Sequence, residues 1–206
     1  MKNLIEIKKK LTNAWFKSLQ KKMISQFQII ENEISKKTKK KTKYFIKHEW
    51  KKSIKKEGGG TSYLLSGGEV FDKVGINQST VSGQFKKSFR SKILGAEKNG
   101  RYWASGISVV AHMKNPKVPA FHFNTRFIVT TKAWFGGGMD VTPSFKDKKE
   151  KNFIHQKLKA VCILNNKNHN KYKKWCDNYF YLPHRKEPRG IGGIFFDYET
   201  KDWEKN

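Results

Sequence analysis

The sequence has little arginine, little acid, two cysteines and no long apolar run, and each shortage closes off a class of protein. Cys162 and Cys176, fourteen positions apart with no second pair, are too few for a zinc site or a disulfide framework and suit a reducing compartment. No apolar run reaches the length of a membrane span, and the N-terminus lacks the uninterrupted apolar core of a secretory signal. A transit peptide would be rich in arginine, and none precedes Arg90. The expectation is a cytoplasmic protein with no membrane span.

The shortage of acid gives 206 residues a formal charge of +27, which by itself points to a polyanionic partner. The distribution argues otherwise. Residues 1–56 hold 18 lysines against four glutamates, and SKKTKKKTK at 35–43 carries no aromatic side chain between its charges. Such a run reads as a solvated linker, so no nucleic-acid partner is expected. With lysine as the default cation, each of the five arginines is informative, because a planar guanidinium grips carboxylates in a way an ammonium does not. Arg126, Arg185 and Arg189 fall within the motifs below.

Hydrophobic residues make up only 36% of the chain, but Phe, Tyr and Trp (15, 7 and 6) bring large buried areas, and the length suits one globular domain. Leu4, Leu11, Trp15, Leu19, Met23, Phe27, Ile30 and Ile34 recur at helical spacing, which predicts one long amphipathic helix or two shorter ones over 3–34, covering a sheet. EGGGTSYLLSGGEVFDKVGI at 57–76 predicts a hairpin, and 104–113 and 120–131 predict strands joined by KNPKVP, whose prolines end pairing. Helical spacing returns over 148–164 and 169–182, and GIGGIFFDY at 190–198 reads as a last strand. A six-residue connection is too short for a parallel crossover, so the sheet is expected to be antiparallel. The predicted fold is α+β, a single domain on a large antiparallel sheet flanked by helices, with 1–56 as N-terminal helix and Lys-rich segment and 57–206 as the main body.

The segment AFHFNTRFIVTTKAWFGGGMDVTP at 120–143 carries the chemistry. Side chains two apart on a strand share a face, so His122, Asn124 and Arg126 point one way while Phe121, Phe123, Thr125 and Phe127 point the other. Ser108, Val110 and His112 share a face of the preceding strand. One alternative is a solvated outer face; the absence of lysine from these positions, the choice of histidine, and the glycines and acid that follow weigh against it, and the pattern alone leaves both readings open. Asp140 is the sole acid between Glu97 and Asp147, a candidate base or cation partner or else a turn-capping residue presented by the three glycines. The glycines are not a P-loop, since the lysine and hydroxyl that should follow are missing.

GISVVAHMKNPKVPAFHFNTRF, WFGGGMDVTP and KKWCDNYFYLPHRKEPRGIGGIFFD, preceded by EGGGTSYLLSGGEVFDKVGIN, resemble the signature segments of the oxygen-dependent coproporphyrinogen III oxidase family over about residues 57–198. The resemblance implies a reaction with no organic cofactor, in which dioxygen, as co-substrate, oxidatively decarboxylates two propionates of coproporphyrinogen III to give protoporphyrinogen IX in haem biosynthesis. It assigns His122 as proton donor, Ser108, Asn124, Thr125 and Arg126 as substrate contacts, with Arg126 clamping a propionate, and Asp140 as the acid facing the pyrrole nitrogens. For some bacterial members it also implies a divalent metal on His112, His122, His155 and His184, although His122 cannot readily be ligand and proton donor at once. His155, on a helix, has packing or hydrogen bonding as its plainer reading, and His184 is alternatively a homodimer contact.

Two departures stand out. The family continues beyond DYETKDWEKN through a further helix and strands, which implies that 1–206 is C-terminally incomplete with little activity alone, and leaves an inactive porphyrin-binding or interaction remnant as the alternative. The family's four-glycine stretch with a following arginine is here EGGGTS.

Overall fold

The computed structural model describes residues 2–54, 57–145, 147–201 and 203. Helix α1 (Lys2–Lys37) is followed by strands β1 (Ile46–Lys51), β2 (Gly58–Ser66) and β3 (Phe71–Gln84), a short helix α2 (Lys87–Arg90), and strands β4 (Arg101–Met113), β5 (Ala120–Val129) and β6 (Ala133–Thr142). Helices α3 (Lys148–Leu164) and α4 (His169–Tyr179), a small ribbon of β7 (Tyr181–Leu182) and β8 (Glu187–Pro188), and strand β9 (Gly192–Glu199) complete the order. Seven strands form one sheet in the order β1-β2-β3-β4-β5-β6-β9, every neighbouring pair antiparallel.

The core lies between α1 and one face of the sheet. Along β4 the alternation is complete: Ile107, Val109 and Ala111 are buried while Ser108, Val110 and His112 are exposed. Phe16 of α1 is 1% exposed and shares a cluster with Val74, Ile76, Val109 and Phe127, with Leu19, Met23 and Phe27 packed around it. This burial holds the helix against the repulsion among its many lysines. Two polar anchors fix its register. The Gln20 amide donates to Thr61 O (2.9 Å) and Ile76 O (3.0 Å). The fully buried Glu31 carboxylate accepts from the backbone N–H groups of Glu69, Val70 and Phe71 at the β2–β3 turn, and a Cβ on Gly68 would meet that carboxylate at 2.6 Å.

Two expected boundaries shift for stated reasons. The second helical segment ends at Tyr179 rather than 182, because Pro183 drives the residue before it into extended backbone and Leu182 joins the β7–β8 ribbon. Thr130 and Thr131 leave β5 for a tight turn, in which both hydroxyls donate to the carbonyls of Leu94 and Gly95. The triple glycine is a correction of a different kind. Gly136, Gly137 and Gly138 are not a turn; they lie inside β6, none of them at positive φ. Their lack of a side chain is what the fold uses: a Cβ would meet Asp197 Oδ1 at 2.4 Å, Asn124 O at 2.6 Å and Ile194 O at 2.8 Å respectively.

Candidate active site

Register turns the expected strand face into rungs that cross the sheet. One rung runs Gly75, Val110, His122, Asp140, Gly193. The next runs Asn77, Ser108, Asn124, Gly138, Phe195, and a third runs Ser79, Gly106, Arg126, Gly136. All of these side chains stand on the face opposite α1, because directly paired residues of an antiparallel ladder share a face. Glycine and serine make a shallow floor, with histidine, aspartate, asparagine and arginine rising along β5 and β6. On the β9 side, α4 supplies a wall in which Tyr179 stacks on Phe195 with ring centroids 4.1 Å apart.

Asp140 is 3% exposed and is held from the side by Arg189, whose Nε donates to Oδ2 at 3.0 Å and whose Nη2 donates to Oδ1 at 2.8 Å. The β7–β8 ribbon aims that guanidinium: Arg189 follows β8 directly, its N–H donates to Phe180 O, and its side chain lies 3.9 Å over the Phe180 ring. Asp140 is therefore one half of a fork-on-fork ion pair within a strand, not a turn cap. His122 stands across the ladder with Nδ1 3.7 Å from Asp140 Oδ2, too long for a hydrogen bond, and Nδ1 is buried without a hydrogen-bond partner. Burial lowers the pKa of His122 below the ordinary imidazole value; Asp140 pulls it back up, and Arg189 and His112 push it down further. The surroundings thus favour the neutral ring, and its buried Nδ1 points toward Asp140.

Arg126 is also engaged. Its Nη2 donates to Asp197 Oδ2 at 2.6 Å and its Nη1 to Asn124 Oδ1 at 3.1 Å, while Asp197 Oδ1 accepts from Trp134 Nε1 at 2.9 Å. A second carboxylate meeting this guanidinium would enter a network that already orients it.

The sequence-derived set divides. Ser108, His122, Asn124, Arg126 and Asp140 come together on one face, and His112 lies beside them with its ring 6.2 Å from that of His122. Thr125 does not join them. Its side chain alternates to the α1 face and its hydroxyl lies 3.5 Å from Gly136 O, as the period of two requires. The proposed metal quartet is not gathered either. His155 on α3 bonds through Nε2 with Ile191 O (2.9 Å) and through Nδ1 with His169 Nε2 (3.3 Å), the plainer of its two readings, and His184 is exposed in the turn of the β7–β8 ribbon. Among the described residues no group of three or more His, Cys, Asp or Glu side chains is arranged to hold a metal ion. His155 and His184 thus stand apart from the His112–His122 pair.

Neither cysteine offers a thiolate: both are buried and free, and burial first, then Asp140 and Asp177, pushes the Cys176 thiol up to about 12. A cavity of about 210 Å³ lined by Val161, Cys162, Tyr172, Ile194 and Phe196 opens on the other face of β9, away from the rungs. Two residues carry more of the site than the sequence reading gave them, Arg189 and Asp197. The scarcity of arginine was the available signal for the first; for the second there was none, since its partner lies 71 positions away.

Comparison with known proteins gives a consistent result. Residues 11–206 match the family described as coproporphyrinogen III oxidase. Proteins of Rickettsia bellii (strain OSU 85-389) and Rickettsia akari (strain Hartford), each named oxygen-dependent coproporphyrinogen-III oxidase, are 47% identical over 191 residues, which is 92% of this chain and 67% of the relative. The corresponding protein of Rickettsia rickettsii (strain Sheila Smith) shows the same identity and coverage.

Proposed function

The chain belongs to the coproporphyrinogen III oxidase family, and from that premise we propose that the rung face holds coproporphyrinogen III during its oxygen-dependent decarboxylation to protoporphyrinogen IX in haem biosynthesis. Each vinyl forms as a propionate loses carbon dioxide and one hydrogen with its bonding pair, and dioxygen takes up that pair, the hydrogen and one further proton to leave as hydrogen peroxide. The substrate is itself electron-rich, so the protein's share of the work is positioning and proton handling, with no organic cofactor.

The observation that carries this reading is the shared rung of His122 and Asp140 beside a floor of glycine and serine. A flat tetrapyrrole needs a surface without side-chain relief, and the half-buried Gly75 and Gly106, with Ser108 between their rungs, provide one over β3 and β4, whereas Gly136, Gly138 and Gly193 are buried by β9 and its side chains. Asp140, paired with Arg189, faces where pyrrole N–H groups would point and would attract positive charge developing on the ring. Arg126 offers a planar fork to a propionate, which would compete with Asp197 for it. Ser108 and Asn124 add hydrogen-bonding groups on the neighbouring rung. Burial disfavours the charged form of His122, and a bound polycarboxylate would favour it, with the buried Nδ1 held beside Asp140.

A second reading, retention of the macrocycle without turnover, is favoured by the openness of the face. Ser108, Val110 and His112 are exposed, whereas the chemistry benefits from excluded water. We also assign the protein to the cytoplasm, which suits its free thiols, and a homodimer contact to the exposed His184.

The test is to bind reduced coproporphyrinogen III anaerobically, admit dioxygen, and separate the products by chromatography. Formation of protoporphyrinogen IX, with Arg126→Lys about ten- to a hundred-fold less efficient because one charged hydrogen bond worth ~1.5–3 kcal/mol is lost, supports the enzyme. Binding without product supports the second reading, and near-equal efficiency of the Arg126→Lys protein removes the clamp from either.

A further inference from the structure

Helix α1 is apolar on two sides, and among the described residues only one of them is packed against the sheet. The inner side packs Phe16, Leu19, Met23 and Phe27 against the sheet. On the outer side Leu4, Ile7, Leu11 and Trp15 are 57, 46, 57 and 53% exposed. Scattered exposed apolar side chains are ordinary; these are aligned. At 3.6 residues per turn the four, with the exposed Ile29 further along, fall within about 80° of the helix circumference. Lys22, with its ammonium 5.7 Å over the Trp15 ring, lies on the same arc, and Lys10, Lys17 and Lys21 flank it, all exposed. Between residues 3 and 26 the chain has six lysines and one acid, Glu6, which is off the arc and accepts from Lys9 at 2.8 Å.

We propose that this outward face of α1 is a peripheral docking surface for an anionic lipid bilayer, the helix lying flat with Leu4, Ile7, Leu11 and Trp15 at the acyl boundary and its lysines among the headgroups. Aromatic and aliphatic side chains in line with one lysine on the arc and a row of lysines along one flank are what an interfacial helix presents. Charge selects this occupant over a second copy of the chain: a two-fold contact through the stripe would set its lysines against themselves. The sheet already holds the helix on its inner side, so binding does not have to order it. No helix of the described residues is long and apolar enough to cross a membrane, so the contact is with the surface only. The rungs of the candidate active site lie on the other face of the sheet, and the docking does not depend on the catalytic reading.

Cosedimentation with vesicles tests it, using phosphatidylcholine alone and phosphatidylcholine containing about one third phosphatidylserine at ~0.1 M salt. The unmodified chain should partition at least about tenfold more strongly onto the anionic vesicles, less so as salt rises. The triple variant Leu4→Gln, Leu11→Gln, Trp15→Gln should lose about tenfold or more of that partitioning at an unchanged circular dichroism spectrum and melting temperature. The triple variant Lys10→Gln, Lys17→Gln, Lys21→Gln should lose the preference for anionic lipid. Undiminished binding by the apolar variant would reduce the effect to lysine charge and overturn the proposal. So would a failure of the unmodified chain to bind anionic vesicles, or a dimer in sedimentation equilibrium that the apolar variant converts to monomer.

Discussion

Replacing either partner of the Arg189–Asp140 pair should destabilise the protein, but by unequal amounts, and the inequality follows from burial. The Asp140 side chain is 4% exposed and that of Arg189 is 32% exposed. In Asp140→Asn one oxygen remains to accept from the guanidinium, and the new amide turns a donor toward the other donor. One charge-assisted hydrogen bond is lost, worth ~1.5–3 kcal/mol. Arg189 keeps its stacking on Phe180 and already reaches water, so the cost falls toward the lower part of that range, about 2 kcal/mol. In Arg189→Met the buried carboxylate has no opposite charge left except what a protonated His122 could supply, and stranding a buried ion costs ~3–5 kcal/mol. At roughly 2–4 °C per kcal/mol for a chain of this size, the melting temperatures should fall by about 4–8 °C and about 6–20 °C. Urea unfolding followed by circular dichroism gives the free energies, and the imidazole resonances give a second readout of opposite sign. Because Asp140 raises and Arg189 lowers the pKa of His122, Asp140→Asn should move it further down and Arg189→Met should move it up. Equal costs for the two variants, a reversed order, or a His122 titration that shifts the same way in both would refute the reasoning.

The same imidazoles set a pH dependence. Burial holds the pKa of both His122 and His155 below the unfolded value, so the folded state favours their neutral forms; this stability is present above about pH 6.5 and is lost as pH falls through their folded values. Melting temperature should therefore rise from acid toward neutral pH, and His155→Gln should flatten that slope; a slope unchanged in the variant would count against it. The glycine floor separates packing from function. Gly193→Ala would place its Cβ 1.8 Å from Met139 O and should loosen β9 from β6, lowering the melting temperature, whereas at Gly75 a Cβ meets nothing within 4 Å. Gly75→Ala should leave stability unchanged and raise KM for coproporphyrinogen III, and an unaltered KM would mean that the substrate does not lie on that part of the floor.

The alternation of β4 and β5 was legible in the chain, because a strand's period of two is a property of the backbone and the phenylalanines declare which side is core. That placed His122, Asn124 and Arg126 on one face, put Thr125 on the other, and made an antiparallel sheet the natural arrangement. Residue types alone misled at Gly136–Gly138. Conformational freedom suggests a turn, yet these glycines serve a strand through the missing Cβ, and what that atom would strike belongs to the neighbouring strands β5 and β9. Arg189 and Asp140 are 49 positions apart and Arg126 and Asp197 are 71 apart. Both pairs form because β9 returns beside β6 after two helices and a ribbon, and no local periodicity records where a returning strand will land. The scatter of His112, His155 and His184 has the same origin, since ligands on separate elements converge only if the packing of those elements brings them together. Short-range sterics and burial preference wrote the faces of the strands into the sequence; the partners of each charge on those faces were decided by the long-range pairing of the sheet.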